Sequence, residues 1–224
     1  MPQSLRETAE DVFDHVFAEL HIIAKTFELL EGEVFRKSGL LSEEEASRVR
    51  PHMVRSLQRL ERHAFALGVV LDADVVSGSP FWLSWIERMS DGTIQDDSNI
   101  RYPWRGSFYE YGSSPWMERP RESGIDSVVG PYVDFDKYLI TLSSPITIGE
   151  RFIGVAAADI HLHDYEKLVA LPLSRFETDC MICNGEGRVV VSNSFSHAIG
   201  SIHENTSQTG VQIGCYDWRV VSVP

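Results

Sequence analysis

The sequence predicts an α+β fold in which long N-terminal helices cover an antiparallel sheet. Apolar residues recur at three- and four-residue intervals over residues 12–30, which is typical of one face of a long helix. Turn residues at Gly149 and over 184–187 each join two strand-like segments, the pattern of antiparallel hairpins. Because the helices precede the strands rather than alternate with them, an α+β arrangement is favoured over an α/β one.

Two helical segments are predicted before residue 62. Ser4 and Glu7 form an S-x-x-E capping box, in which each side chain bonds a free backbone N–H at a helix start. Ser42 and Glu45 form a second box, and one helix is expected after it, with Pro51 near its first turn or at a kink. The apolar stripe of the first helix must be covered by a sheet or by a second copy of the chain. The residues of this apolar stripe are Val12, Phe13, Val16, Phe17, Leu20, Ile23, Phe27 and Leu30.

The remainder of the chain reads mainly as strands. Residues 90–128 lack clean periodicity, and such a long irregular stretch inside a compact domain is usually functional. The last strand, 216–223, either joins the main sheet or forms a small lobe with 179–191. The other predicted strands are 65–70, 81–86, 138–146, 151–160, 179–182 and 188–191, with a short helix at 163–171.

Charge and hydropathy limit the function classes. The chain has 20 basic and 33 acidic residues, a formal net charge of −13. This surplus repels phosphate backbones and argues against nucleic-acid binding, while it is compatible with a cationic ligand. No apolar run reaches eighteen residues, so we expect no membrane span. The acidic N-terminal segment does not match a secretory signal, and three cysteines suit a reducing compartment, so we expect a cytoplasmic location.

The sequence gives little support for catalysis or metal binding. The sequence contains no G-x-S-x-G, H-E-x-x-H or P-loop motif, so we expect neither an enzyme nor a cofactor. Cys180 and Cys183 have the C-x-x-C spacing, but on a strand they point to opposite faces. No second pair completes a four-ligand zinc set, and no metal site is predicted.

Three consecutive segments carry a more specific signal. They read GPYVD from Gly130, YLITLSSP from Tyr138 and FIGVAAADI from Phe152. Together they resemble the core of Cache domains (PDC-type sensors), which are extended PAS-like ligand-binding domains of bacterial chemoreceptors and histidine kinases. The resemblance extends back to Pro115-Trp116 and forward through 179–192. Family members are usually tethered through a membrane. Because no span is predicted in this chain, it is most similar to a soluble, single-Cache group.

The resemblance implies a division of the chain and a set of ligand contacts. The implied parts are an N-terminal helical region (1–61), a Cache ligand-binding domain (62–175) and a C-terminal β-hairpin with a terminal strand (176–224). Tyr132, Asp134 and Asp159 match the residues that hold a ligand ammonium group in amino-acid-binding members. Cation–π faces are expected from Trp104, Tyr109, Tyr111, Trp116 and Tyr132.

One position departs from the family pattern. Ser114 stands where amino-acid-binding members have an arginine that clamps the ligand carboxylate, and Arg119 or Arg121 can take that role from a shifted position. Because the ammonium contacts are kept and the carboxylate clamp is missing, we expect a cationic amine first and an amino acid second.

The function predicted is a ligand-sensing module. A small molecule binds, and the change is transmitted through a homodimer built on the N-terminal helices or to a regulatory protein partner. Two alternatives stay open: an interaction scaffold with a vestigial pocket, and a small-molecule enzyme on a PAS-like fold.

Overall fold

The chain folds into two compact units. One unit, called the terminal unit below, contains residues 1–15, 130–140 and 160–224, and the other, called the central unit, contains 16–129 and 141–159. The computed structural model describes residues 2–79, 82–96, 111–134, 136–204 and 210–223, with side chains from Ser4 onward. None of the helices in this described part is long and apolar enough to cross a bilayer.

The first helix, α1, runs from Pro2 to Ser38. It begins before Ser4, so the predicted capping box does not form its start, and that prediction was wrong. Proline suits a first helical position because its missing N–H has no partner there in any case. The predicted apolar stripe is buried within the chain, except for Leu30. The stripe therefore packs inside one copy of the chain, so it no longer argues for a dimer.

The second capping box is confirmed. The backbone N–H of Glu45 donates to the Ser42 hydroxyl, and the Ser42 N–H donates back to the Glu45 carboxylate at 2.8 Å. The helix that it opens, α2, covers only Glu43–Ser47, and a separate helix α3 follows over Arg50–Leu60. Pro51 lies in the first turn of α3. The expectation of one continuous helix was wrong, since two short helices meet at 48–49.

The main sheet has six strands in the order β3-β2-β1-β6-β5-β4, which confirms the predicted fold class. Strands β1, β2, β5 and β6 lie where the sequence placed them. The stretch predicted to be irregular also contains β3, helix α4 (Pro115–Ser123) and the first two residues of β4, so that prediction was wrong for its described residues. The strands are β1 Ala66–Leu71, β2 Trp82–Arg88, β3 Ile94–Asp96, β4 Ser127–Asp134, β5 Lys137–Ile148 and β6 Arg151–His161.

A second sheet lies in the terminal unit. It has four strands in the order β8-β7-β10-β9, and helix α5 (Leu162–Leu173) precedes it along the chain. The hairpin predicted around 184–187 joins β7 to β8. The last strand pairs with β7 and not with the main sheet, which decides between the two arrangements left open by the sequence. The strands are β7 Asp179–Cys183, β8 Val189–Ser192, β9 Val211–Gln212 and β10 Arg219–Val223.

Aromatic rings fill the core of the terminal unit. Phe13 stacks on Tyr165 with ring centroids 5.5 Å apart, and its ring meets those of Tyr216 and Trp218 edge-on. Stacked and edge-to-face pairs at these separations are the favoured geometries of aromatic packing. The first turns of α1 are thereby anchored in this unit.

The three cysteines differ in their surroundings. Cys180 and Cys183 are buried on β7, and Cys215 is exposed. Burial raises the pKa of the Cys180 thiol to about 11, and burial together with the neighbouring Cys180 raises the pKa of the Cys183 thiol to about 12. Both buried thiols are therefore protonated at neutral pH.

One buried carboxyl makes stability depend on pH. Glu31 of α1 is fully buried; its Oε2 lies 3.5 Å from an Arg48 nitrogen, and its Oε1 has no hydrogen-bond partner. Burial raises the pKa of this carboxyl, with Arg48 opposing and Glu45 reinforcing the shift. A raised carboxyl pKa means that the free energy of unfolding falls as the pH rises through it.

Replacing Glu31 by Gln should therefore stabilise the chain at pH 8 by about 1 kcal/mol, because the variant buries no charge. At pH 4 the native side chain is itself neutral, so the two proteins should unfold alike. Denaturant unfolding at both pH values measures this, with Glu33→Gln, exposed on the same helix, as the control. A loss of stability at pH 8 would show instead that the Glu31–Arg48 pair is stabilising.

Candidate ligand-binding site

One face of the main sheet brings predicted site residues together within the central unit. Ala66 of β1 pairs with Glu87 of β2 on one side and with Asp159 of β6 on the other. Directly paired residues point to the same side of a sheet, and so do alternate residues along each strand. We call this the Asp159 face. Its residues on these strands are Leu83, Trp85 and Glu87, then Ala66, Gly68 and Val70, then Val155, Ala157 and Asp159.

Hydroxyl groups from β5 complete the polar part of this face. The Thr141 hydroxyl donates a 2.6 Å hydrogen bond to Asp159 Oδ1, which fixes the orientation of a carboxylate that is only 8% exposed. Ser143 follows two residues later and so shares the face with Thr141. Its Oγ is fully buried and has no hydrogen-bond partner. Buried polar groups in folded proteins are nearly always hydrogen-bonded, so this hydroxyl is an exception within the described structure.

The centre of the face is made of small residues and one large ring. Gly68 is paired directly with Trp85, and a Cβ atom at Gly68 would fall within the Trp85 indole and 2.5 Å from the Ser84 carbonyl oxygen. The indole therefore lies flat across the glycine, the arrangement by which an aromatic ring covers a glycine in a neighbouring strand. Trp85 stays partly exposed, and its indole forms an aromatic wall on this face.

Aromatic residues from the segment before and within α4 pack against this wall. Tyr111 and Met117 are buried in one cluster with Val70, and Trp116 packs on it while remaining partly exposed. The rings of Tyr111 and Trp116 lie 6.2 Å apart. The Tyr111 hydroxyl lies 3.0 Å from two backbone carbonyl oxygens, those of Leu71 and Trp82, and its single proton is shared between them. Tyr111 thus has a structural role in the core, whereas Trp116 keeps a surface that can contact a ligand.

Replacing Tyr111 by Phe should lower the free energy of unfolding by about 1–2 kcal/mol, because the buried carbonyls lose the one hydroxyl proton that they share. The affinity for a ligand should stay unchanged, since the ring and its packing are kept. Thermal unfolding and titration of the same variant measure the two effects, with the half-buried Tyr138→Phe as the control. An unchanged stability with a weaker affinity would show that Tyr111 contacts the ligand.

Two of the three residues considered for binding a carboxylate, Ser114 and Arg121, do not provide a clamp. Ser114 precedes α4 as its N-cap, and its side chain makes no capping bond. Arg121, one of the two substitutes considered, bonds both oxygens of Asp72 and the Gly112 carbonyl, and its guanidinium lies over the Phe152 ring. Arg121 is therefore held by contacts within the central unit, which leaves a ligand carboxylate without this partner.

Two further predicted contacts belong to the terminal unit. Tyr132 and Asp134 lie two residues apart on β4, so they share a face of that strand; both are half-buried, while Val133 between them is exposed. Burial raises the pKa of the Asp134 carboxyl, and the positive charge of Lys137 opposes the shift. Their roles in ligand binding stay predictions. Trp104 and Tyr109 fall on residues outside the described part of the chain.

Sequence reasoning missed four residues of the Asp159 face: Trp85, Glu87, Thr141 and Ser143. The predicted second strand ended at Ile86, one residue before Glu87. A signal was present, because leucine, tryptophan and glutamate alternate with buried residues over 82–88. Their position beside Asp159, however, depends on the register of three strands, which the sequence does not specify.

A separate groove lies at the start of α5 in the terminal unit. It contains none of the predicted contacts and mixes acidic, basic and histidine side chains without forming a cluster of metal ligands in the described structure. Its lining residues are Asp136, Lys137, Tyr138, His161, Leu162, His163, Asp164, Glu166 and Ile199.

Comparison with solved structures identifies the fold. The ligand-binding domain of the Campylobacter jejuni chemoreceptor Tlp3 in complex with L-valine has a TM-score of 0.59 at 13% identity, covering 99% of this chain and 90% of that chain. The ligand-binding domain of the Pseudomonas aeruginosa PAO1 amino acid chemoreceptor PctC in complex with GABA gives 0.60 at 14%, covering 99% and 96%. The extracellular domain of mmHK1S-Z2, described as a histidine kinase, gives 0.60 at 16%, covering 89% and 74%.

At these identities the similarity is one of fold. The chain has the fold of Cache-type (PDC) sensory domains, as its sequence predicted, and the similar structures are sensory domains. No family model matches the sequence, and no curated protein matches it. Because mmHK1S-Z2 is described as extracellular, the cytoplasmic location expected for this chain stays a prediction.

Proposed function

We propose that the chain is a small-molecule-binding sensor domain that holds an ammonium group at the Asp159 face. The observation that carries this proposal is the buried carboxylate of Asp159, oriented by Thr141 beside Ala66, Gly68 and the Trp85 indole. A carboxylate screened from water gives strong charge-assisted hydrogen bonds to a cation. An indole face nearby attracts the same charge through its ring quadrupole.

The structural comparison supports the same chemistry. Two similar domains are described in complex with L-valine and with GABA, and these two molecules share an ammonium group. In this chain the carboxylate suited to that group is present at Asp159. The arginine for the other end is replaced by Ser114, and Arg121 is bonded to Asp72. An amine is therefore the preferred ligand and an amino acid the second choice.

Transmission to a second copy of the chain is the second part of the proposal. Its support comes from α1, where Ile22 and Leu29 are exposed apolar residues seven positions apart and so lie on one side of the helix. Sedimentation of the native chain and of Leu29→Glu tests it. A dimer lost in the variant supports transmission through α1, and a native monomer at high concentration contradicts it.

A thermal-shift screen tests the ligand class. The purified chain is heated with primary amines, quaternary ammonium compounds, amino acids and small carboxylates. A ligand at a hundred times its dissociation constant stabilises a fold by about 2.7 kcal/mol. Stabilisation by amines supports the proposal. Stabilisation by carboxylates alone contradicts the ammonium chemistry, and no response to any compound favours the interaction scaffold.

A further inference from the structure

We infer that Asn184 is a positioning residue whose side-chain amide ties the strand carrying Tyr132 and Asp134 to the second sheet, so that ligand binding on β4 and the stability of the β7–β8 hairpin are coupled. This inference rests on the proposed function, because it concerns the two ammonium contacts that the resemblance implies on β4. Asn184 directly follows β7 and opens the turn of the hairpin, where its carbonyl accepts the Gly187 N–H. All these residues belong to the terminal unit.

The side-chain amide of Asn184 is bonded at both of its polar atoms. Its Oδ1 accepts the backbone N–H groups of Glu186 at 3.0 Å and of Arg188 at 2.9 Å, and such local bonds are how asparagine fixes a turn. Its Nδ2 donates a 2.7 Å hydrogen bond to the Gly130 carbonyl of β4. Asn184 is only 8% exposed, so water competes little for these bonds. The oxygen therefore holds the turn, and the nitrogen holds the strand.

The strand is fixed at the residue that receives this bond. Gly130 has a φ of 134°, and a Cβ atom built there would lie 2.8 Å from the Leu139 carbonyl oxygen. The backbone of β4 therefore lies so close to that of β5 that a side chain has no room. The bond from the hairpin meets β4 at this point, two positions before Tyr132 and four before Asp134. Both predicted contacts thus follow closely on an anchored residue.

The turn is also fixed within its own sheet. A Cβ atom built at Gly185 would overlap the Asp217 carboxylate, and Asp217 lies just before β10 of the same sheet. The backbone of the turn therefore packs directly on that side chain, and a displacement of β4 at Gly130 would pull on a turn that has little room to follow. Coupling free energies are reciprocal. A molecule that holds Tyr132 and Asp134 in place should therefore also stabilise the hairpin.

Asn184→Asp separates the two bonds of the side chain. Aspartate has the same shape and keeps an acceptor for the two N–H groups of the turn. It has no donor, so the hydrogen bond to the Gly130 carbonyl is replaced by a repulsion between two oxygen atoms. The variant should therefore keep the hairpin turn and lose the link to β4.

Asn193→Asp is the matched control. The Asn193 Oδ1 accepts the Cys180 N–H, and its Nδ2 donates to the Thr178 carbonyl. The same substitution therefore removes an amide donor from a backbone carbonyl in the same unit. None of the bonds of Asn193 in the described structure reaches β4, so this variant reports the loss of an amide alone.

Three measurements on the native chain and the two variants test the inference. Hydrogen exchange over residues 130–134 should become about tenfold faster in Asn184→Asp and stay unchanged in Asn193→Asp. Titration with 1-aminobutane should give an affinity about tenfold weaker in Asn184→Asp and unchanged in the control. Bound 1-aminobutane should slow the reaction of the buried thiols of β7, Cys180 and Cys183, in the native chain and the control but not in Asn184→Asp.

The outcomes distinguish this inference from the proposed function, with thermal unfolding confirming that each variant is folded. Unchanged exchange over 130–134 in Asn184→Asp overturns the inference, whether or not an amine binds. Equal losses of affinity in the two variants would show a merely structural role and overturn it as well. If exchange is accelerated as expected but the native chain binds no amine, the link to β4 is supported and the proposed function is wrong.

Discussion

Replacing Asp159 by Asn should weaken the binding of a primary amine by ten- to a hundredfold. A hydrogen bond to a charged group contributes about 1.5–3 kcal/mol, and 1.4 kcal/mol corresponds to a factor of ten in the dissociation constant. Asparagine has the same shape, and its Oδ1 can still accept the bond from Thr141. The variant should therefore lose the charge and keep the local structure, and calorimetric titration with 1-aminobutane measures the loss.

The matched control is Glu150→Gln. This residue is exposed in the connection between β5 and β6, so the variant changes the net charge by the same amount at a distance from the Asp159 face. Its amine affinity should equal that of the native chain. A folded Asp159→Asn protein with undiminished affinity would place the ammonium site elsewhere.

Replacing Gly68 by Ala should lower the free energy of unfolding by about 1–3 kcal/mol, the usual cost of forcing an extra carbon into a packed site. The added methyl would overlap the Trp85 ring and approach the Ser84 backbone, so either the indole or the strand must move. Because the indole forms the wall of the proposed site, amine affinity should fall together with stability. Denaturant unfolding and titration of the same preparation measure both.

Gly112→Ala is the control for this prediction, because no atom of the described residues lies within 4 Å of a Cβ atom built at Gly112. It should unfold like the native chain. Equal stability of Gly68→Ala and the native protein would show that the indole is free to swing away, and the proposed aromatic wall would then have no fixed position.

Most features set by neighbouring residues were predictable from the sequence, with the capping box at Ser4 as an exception, and features set by strand register were not. The capping box at Ser42 and the hairpin at 184–187 depend on residues only a few positions apart, and both were predicted. Asp159 was found through the resemblance of its segment to sensor domains. The position of Glu87 on the same face as Asp159 was missed because it comes from the pairing of Ala66 with both residues, and no local pattern encodes that register.

Arg121 shows the same limit for a residue that the sequence suggested as a ligand contact. By its position after Trp116 it was a reasonable partner for a ligand carboxylate. The structure gives it Asp72, 49 residues earlier in the chain, as a two-point partner. A bidentate pair of this kind satisfies the guanidinium, and the sequence does not show which of several acidic residues provides it.

Because the three thiols are unequally buried, the number of thiols that react with a reagent measures the fraction of folded molecules. Thiolates, not thiols, react with alkylating reagents, so Cys180 and Cys183 are protected both by burial and by their raised pKa values. The folded chain should consume one equivalent of a thiol reagent, at Cys215, and the unfolded chain three. The second and third equivalents therefore report the opening of the β7 strand, and a ligand that stabilises the terminal unit would delay their uptake.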